Sequence, residues 1–239
     1  MNRKTIFLSM LPMYVCCFLL LLLLSSVGSK AVFTLYESQP TYSRRCVIID
    51  AGHGGVDGGA TSCTGVLESN LNLEIALRLN DFMHLLGVKT LMIRTDDRSI
   101  HTTGTTIAQK KVSDLKERVR IANSTHNAFL ISIHQNYYPQ SKYYGPQVFY
   151  PSGDNSHAYA QKLQTALIST LSPECNRKSK KADNVYLMQH ITIGGVLIEC
   201  GFISNPEEEA KLKDPDYQKK LCCVIACTYS DSTKEAMIA

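Results

Sequence analysis

At 239 residues, with 44% hydrophobic and 19% charged residues, the chain can bury one good core, and a second domain would be cramped. A net charge of +4, without an arginine- or lysine-rich stripe interleaved with aromatics, argues against a nucleic-acid partner. Of the nine cysteines, Cys16 and Cys17 fall in an N-terminal apolar run; the remaining seven are an odd number without CxxC spacing, so a disulfide framework is not expected.

In chain order, Asn2-Arg-Lys4 precedes an uncharged apolar run, Ile6 to Leu24, that holds six consecutive leucines. The run is long enough for a spanning helix or a signal-peptide core, and the small residues from Ser25 to Ala31 suit a signal peptidase. Residues 1–29 are therefore read as a signal peptide or membrane anchor. The basic start keeps the N-terminus inside and places the rest outside the membrane. Residues 30–44 are polar and unpatterned and contain Pro40, as in a tether; residues 45–232 form the folded domain and residues 233–239 a tail.

Val47 to Ile49 form a short buried strand that a glycine cluster stops, delivering His53 to the strand's end among Gly52, Gly54, Gly55, Gly58 and Gly59. Glu68 to Gly87 is the clearest helix: Leu71, Ile75, Leu79, Phe82 and Leu86 make one stripe, Ser69 or Asn70 can cap its start, and Gly87 ends it. Glu68 continues the stripe one turn back, so its carboxylate should face the sheet where His53 emerges. Val88 to Ile93 is the next strand. Thr95 to Lys111 shows no period and reads as a surface loop, after which Ser113 caps a helix. Ala128 to Ile133 is a buried strand ending at His134. Further strands are expected at Gln147 to Tyr150, Asn184 to Met188 and Gly195 to Ile198, with helices at Ser156 to Leu171, Pro206 to Leu212 and Tyr217 to Tyr229; the basic run Arg177 to Lys181 reads as a solvated loop. This alternation implies an α/β domain, a mainly parallel sheet with helices on both faces, whose ligands bind beyond the carboxyl ends of the strands.

His53, His134 and Glu199 all fall at such strand ends, with Glu68 at a helix start. Singly, each has an ordinary structural role open to it: a loop histidine that makes hydrogen bonds, or a glutamate that favours a helix dipole. Glu199 is harder to place that way, because it sits in the least polar stretch of the domain, where an unpaired charge costs several kcal/mol. Two histidines and one glutamate are the donor set with which zinc hydrolases leave a fourth position for water, and a second carboxylate then carries the proton. Glu199 is free for that task. His84, His101, His126, His157 and His190 lack comparable settings and read as structural or surface residues. Cys200 should point to the opposite face from Glu199, and Cys222, Cys223 and Cys227 read as small core residues.

The blocks Val-Ile-Ile-Asp-Ala-Gly-His-Gly-Gly-x-Asp-x-Gly-Ala60, Glu68, Met-Ile-Arg-Thr-Asp-Asp97, Leu-Lys-Glu-Arg-Val-Arg-Ile-Ala-Asn123, Ile-Ser-Ile-His-Gln-Asn136 and Leu-Ile-Glu-Cys-Gly-Phe-Ile-Ser-Asn-Pro-Glu207 resemble, in order, those of the zinc-dependent N-acetylmuramoyl-L-alanine amidases of the amidase_3 family. The resemblance implies a phosphorylase/hydrolase-like α/β fold and a single zinc ion on His53, Glu68 and His134. It implies Glu199 as the catalytic residue, and as substrate the amide between muramic acid and L-alanine in peptidoglycan. The rival activities are a zinc carboxypeptidase acting on stem peptides and a non-catalytic wall-binding regulator. The compact domain behind a membrane segment, and the stretch Ser141 to Tyr150, most resemble the germination-type amidases that act on spore cortex and help form muramic-δ-lactam; an accessory protein partner is compatible with this. Gln135 and Ser69 stand where the family more often has a small residue and a lysine.

Overall fold

The computed structural model describes residues 45–152 and 156–238. The expected N-terminal export segment and tether lie outside the described residues, and no helix among those described is long and apolar enough to cross a membrane.

Among the described residues, six strands form one sheet: β1 (Cys46–Ala51), β2 (Thr90–Met92), β3 (Ala128–Asn136), β4 (Gln147–Tyr150), β5 (Lys180–Lys181) and β6 (Gly194–Phe202), in the order β2-β1-β3-β6-β4-β5. Every pairing is parallel except that of β4 with β6, so β4 and β5 run against the other four strands. Strands β1, β3 and β6 occupy the middle of the sheet, which is why their sequences are nearly continuous apolar runs and not alternating ones.

Among the described residues, six helices cover the two faces: α1 (Glu68–Leu85), α2 (Ile107–Ser124), α3 (Ser156–Leu171), α4 (Tyr186–His190), α5 (Pro206–Lys213) and α6 (Pro215–Ile238). One core joins Val47, Ile49, Ile131, Ile133, Val196 and Ile198 to Leu71, Ile75 and Leu79 of α1, Leu163 of α3 and Ile225 of α6. The other packs Ile48, Leu130 and Leu197 against Ala122 of α2 and Leu187 and Met188 of α4. The strand side chains divide between the two cores by alternation along each strand.

Several elements depart from the sequence expectation. Helix α2 starts at Ile107, inside the expected loop, with Thr106 and Gln109 forming a capping box. Ile107 and Val112 are exposed, so these turns carry no apolar stripe to betray a helix. Ser113 lies within α2 and does not cap it; its hydroxyl accepts the amides of Thr102 and Thr103 at 3.0 and 3.1 Å and ties the threonine-rich segment down. Helix α1 has Leu67 at its N-cap, without a side-chain cap, in place of Ser69 or Asn70. Residues 186–190 are the short helix α4 where a strand was expected, and the strand pairing with β4 falls instead in the basic run, at Lys180–Lys181. Helix α6 continues past Tyr229 to Ile238. Cys200 and Cys222 are buried as expected, whereas Cys223 and Cys227 are exposed because they fall on the solvent side of α6. Among the described residues, no disulfide joins any of the seven cysteines.

Candidate active site

At the carboxyl end of β1 the chain turns through Gly52 into His53, whose φ of +61° lies in the left-handed region. That conformation costs a non-glycine residue on the order of 1–3 kcal/mol unless its surroundings impose it. Two buried arginines supply the imposition. Arg94 donates from Nε to the Ala51 carbonyl at 2.8 Å and from Nη2 to those of Gly52 and Ser69 at 3.0 and 2.8 Å. Arg118 donates from Nη1 to the Ala51 carbonyl at 2.9 Å and from Nη2 to the His53 carbonyl at 2.7 Å. Arg118 also pairs with the carboxylates of Asp50 and Asp114, and Ser132 donates its hydroxyl to Asp50 at 2.7 Å. Arg118 and Asp50 are 2% and 0% exposed, so each is the other's substitute for water. Burial opposes ionisation of Asp50, but Arg118, with His134 and Ser132 behind it, holds the carboxyl below its ordinary range. Arg118→Met would strand the Asp50 charge and release the turn. A stability loss of about 3–5 kcal/mol is expected, the usual cost of removing one partner of a buried ion pair. Chemical denaturation measures it, and a loss near zero would mean that the clamp is dispensable.

His53 Nδ1 contacts Asp57 Oδ2 at 2.9 Å, which turns Nε2 toward Glu68 Oε1, 3.4 Å away. Asp57 in turn accepts from Lys111 Nζ at 2.6 Å and from the Gly59 amide at 3.2 Å. Glu68, the first residue of α1, is 4% exposed and is placed by the amide of Ala60 on Oε2 and by the amide of Gln135 and the Asn72 side chain on Oε1. His134, near the end of β3, directs Nδ1 to Glu68 Oε1 at 3.0 Å. The two imidazole rings stand edge to face with centroids 5.0 Å apart. One ligand atom from each of His53, Glu68 and His134 therefore lies within 4.8 Å of the others. Glycine is required around this cluster. A Cβ on Gly59, which has φ +68°, would lie 2.6 Å from Glu68 Oε2 and 2.8 Å from His53 Cδ2, and a Cβ on Gly52 would enter the His134 ring.

The charges in this cluster stabilise one another. Burial disfavours the His53 imidazolium, yet its hydrogen bonds to Asp57 and Glu68 and the charges of both carboxylates outweigh burial and raise its pKa to about 9. Glu68 and Asp57, each desolvated, are nonetheless held well below the carboxylate range by the histidines, with Lys111 adding to the effect on Asp57. Glu199 differs. It pairs in register with His134 on the neighbouring strand, its Oε2 is buried without a hydrogen-bond partner among the described residues, and burial pushes its pKa up to about 7. Cys200 packs in the core on the opposite face of β6.

The structure thus brings together the four residues singled out in the sequence, and the other five histidines lie outside the cluster. His84, His101 and His190, for instance, contact Thr90, Ser99 and the Tyr186 carbonyl. Sequence reasoning gave no role to Asp57, Lys111 or the two arginines, although Asp57, Arg94 and Arg118 fall within the blocks that carry the family resemblance.

The family model described as Amidase_3, N-acetylmuramoyl-L-alanine amidase, matches residues 47–227. The germination-specific N-acetylmuramoyl-L-alanine amidase of Bacillus subtilis is 37% identical over 185 residues, 77% of this chain and 77% of that protein. The CwlD amidase of Clostridioides difficile, solved in complex with the GerS lipoprotein, superposes with a TM-score of 0.76 at 35% identity, over 80% of this chain and 98% of that one. An N-acetylmuramoyl-L-alanine amidase from Clostridium difficile 630 gives a TM-score of 0.67 at 28% identity, over 79% and 96% of the two chains. Fold, sequence and family model agree, and the chain belongs to the Amidase_3 family of N-acetylmuramoyl-L-alanine amidases.

Proposed function

We propose that the chain is a zinc-dependent amidase of spore peptidoglycan, with one ion held by His53, Glu68 and His134 and proton transfer performed by Glu199. The observation that carries this reading is the convergence of two imidazole nitrogens and a carboxylate oxygen within 4.8 Å beside the buried, unpartnered Oε2 of Glu199. The donor set suits zinc, since it supplies three protein ligands of the right type and leaves a position open. When bound, the ion would polarise the amide carbonyl and lower the pKa of water toward about 7.

The chain's own residues do the rest. Asp57 fixes the tautomer and direction of His53 so that Nε2 faces inward. Glu199 accepts the proton of the attacking water at its carboxylate and passes it to the nitrogen of L-alanine as the carbon–nitrogen bond breaks. A carboxyl with a pKa near 7 can both take and return a proton at neutral pH. Asp57→Asn is expected to weaken zinc retention by about 10–100-fold, the usual effect of losing a carboxylate behind a histidine ligand. A competition titration with a chelator measures this, and an unchanged affinity would leave Asp57 with no part in holding the site.

The spore assignment is supported by the germination-specific amidase and CwlD relatives; the enzyme would act on the cortex and help form muramic-δ-lactam. Residues 1–29 would export or anchor the chain, residues 30–44 tether it and residues 45–232 carry catalysis outside the cytoplasm. A reporter fused after Lys30 that is active only in the cytoplasm would overturn the export assignment. The complex of CwlD with a lipoprotein supports an accessory protein partner here as well. Digestion of purified peptidoglycan tests the activity. The expected product is a new L-alanine amino terminus on the stem peptide, whereas release of a carboxyl-terminal residue would identify a carboxypeptidase.

A further inference from the structure

Among the described residues, every exposed large aromatic side chain lies on one loop: Tyr137, Tyr138, Tyr143 and Tyr144 are 52%, 46%, 36% and 41% exposed. The loop's position is set by the topology. It leaves β3 three residues after His134, crosses the carboxyl end of β6 and enters antiparallel β4 at Gln147, which pairs with Glu199. Both ends of the loop therefore spring from residues beside the catalytic cluster, at the same end of the strands.

Hydrogen bonds and ring contacts tie the loop to the start of α5 although its rings are open to solvent. The Asn205 side chain donates to the carbonyls of Ser141 and Tyr143 at 2.7 and 3.1 Å, and the Tyr138 amide donates to the Ser204 hydroxyl at 3.0 Å. Tyr138 meets Tyr143 edge to face with centroids 4.8 Å apart, and Tyr143 stacks on Phe202 at 6.1 Å. Leaving four aromatic rings in water forgoes burial, and pre-ordering them lowers the cost of capturing a ligand. Tyrosine offers an apolar face with a polar tip and only two side-chain torsions to fix. That matches a pyranose ring, which has an apolar C–H face and a hydroxylated rim.

We propose that the Tyr137–Tyr144 loop is a saccharide subsite that stacks sugar rings of the glycan strand on the acyl side of the scissile amide. The proposal rests on the amidase reading for its substrate. That substrate is a sugar polymer joined to the reacting carbonyl through muramic acid, so the strand must leave the catalytic cluster along one side, and this aromatic loop joins the two strands, β3 and β4, that pair with β6 at Glu199.

The test uses the zinc-loaded full chain and its Tyr137→Ala and Tyr138→Ala variants, with Tyr137→Phe and Tyr138→Phe as controls that keep the rings. Two substrates are compared, a single-sugar muramoyl peptide and a glycan strand bearing the same peptide. Each alanine variant is expected to lower kcat/KM on the strand relative to the single-sugar substrate by roughly tenfold, the equivalent of about 1.4 kcal/mol of lost contact; the phenylalanine variants should keep most of the preference. Binding of peptide-free GlcNAc–MurNAc oligosaccharide, followed by calorimetry, should fall in parallel. An unchanged substrate ratio, or a purified lipoprotein partner losing affinity for the alanine variants while the oligosaccharide does not, would overturn the proposal. If the unsubstituted chain cuts neither substrate, the amidase reading fails. The oligosaccharide titration, which needs no turnover, then decides the subsite by itself.

Discussion

Alanine in place of His53, Glu68 or His134 is expected to remove zinc from the purified protein and abolish amide cleavage, with Glu68→Ala the most damaging of the three. Glu68 Oε1 is the atom on which His53 Nε2 and His134 Nδ1 both converge, at 3.4 and 3.0 Å, and Oε2 holds the amide of Ala60 in the turn leading to α1. Its loss would take away one donor and the anion that orients the other two. It would also bring two imidazoles together without the charge that keeps them in register. Each histidine variant leaves a carboxylate and one imidazole, fewer than the three protein ligands of a catalytic zinc site. Metal analysis on the three variants, paired with circular dichroism to show that each remains folded, is the measurement. Full metal content in all three would refute the ligand assignment, whatever happened to activity.

The parts of this molecule that were legible in the sequence are those whose physics is local. Strands β1, β3 and β6 announce themselves as apolar runs because they are buried on both faces, and α1 does so through a stripe that fills one core. Helix α4 was misread for a related reason. Its Leu187 and Met188 are buried together in a short apolar run, which looks the same whether it is a strand or a single helical turn; the stack of Tyr186 on His190, centroids 3.9 Å apart, shows the helical spacing only in three dimensions. Strand β5 is two exposed lysines at the sheet's edge, with no hydrophobic signal. In the site, His53, Glu68 and His134 were visible because glycines or element ends mark them. The arginine clamp was hidden because its targets are the carbonyls of residues 51–53, and a backbone acceptor leaves no mark on sequence. Lys111 was equally hidden, since it reaches Asp57 from the first turns of α2, which read as loop in the sequence.

Glu199→Gln is expected to keep its zinc and its substrate while losing turnover by roughly 10²–10⁴, the range typical of a general acid–base group. The glutamine amide preserves volume at a site where Glu199 Oε2 has no hydrogen-bond partner among the described residues, so folding has little to lose. Burial is the largest influence on Glu199 and outweighs its attraction to His134 and His53, raising its pKa to about 7, so removing the charge gives up less than the desolvation it relieves. Stability should therefore hold or rise slightly as activity falls, a combination that separates a catalytic role from a structural one. What the variant lacks is a site for the water's proton, and with it the proton that the departing L-alanine nitrogen must receive. Zinc content, muropeptide binding, thermal stability and amide cleavage measured on the same preparation resolve the alternatives. Near-normal cleavage would exclude Glu199 from proton transfer, and loss of zinc together with activity would make it a ligand.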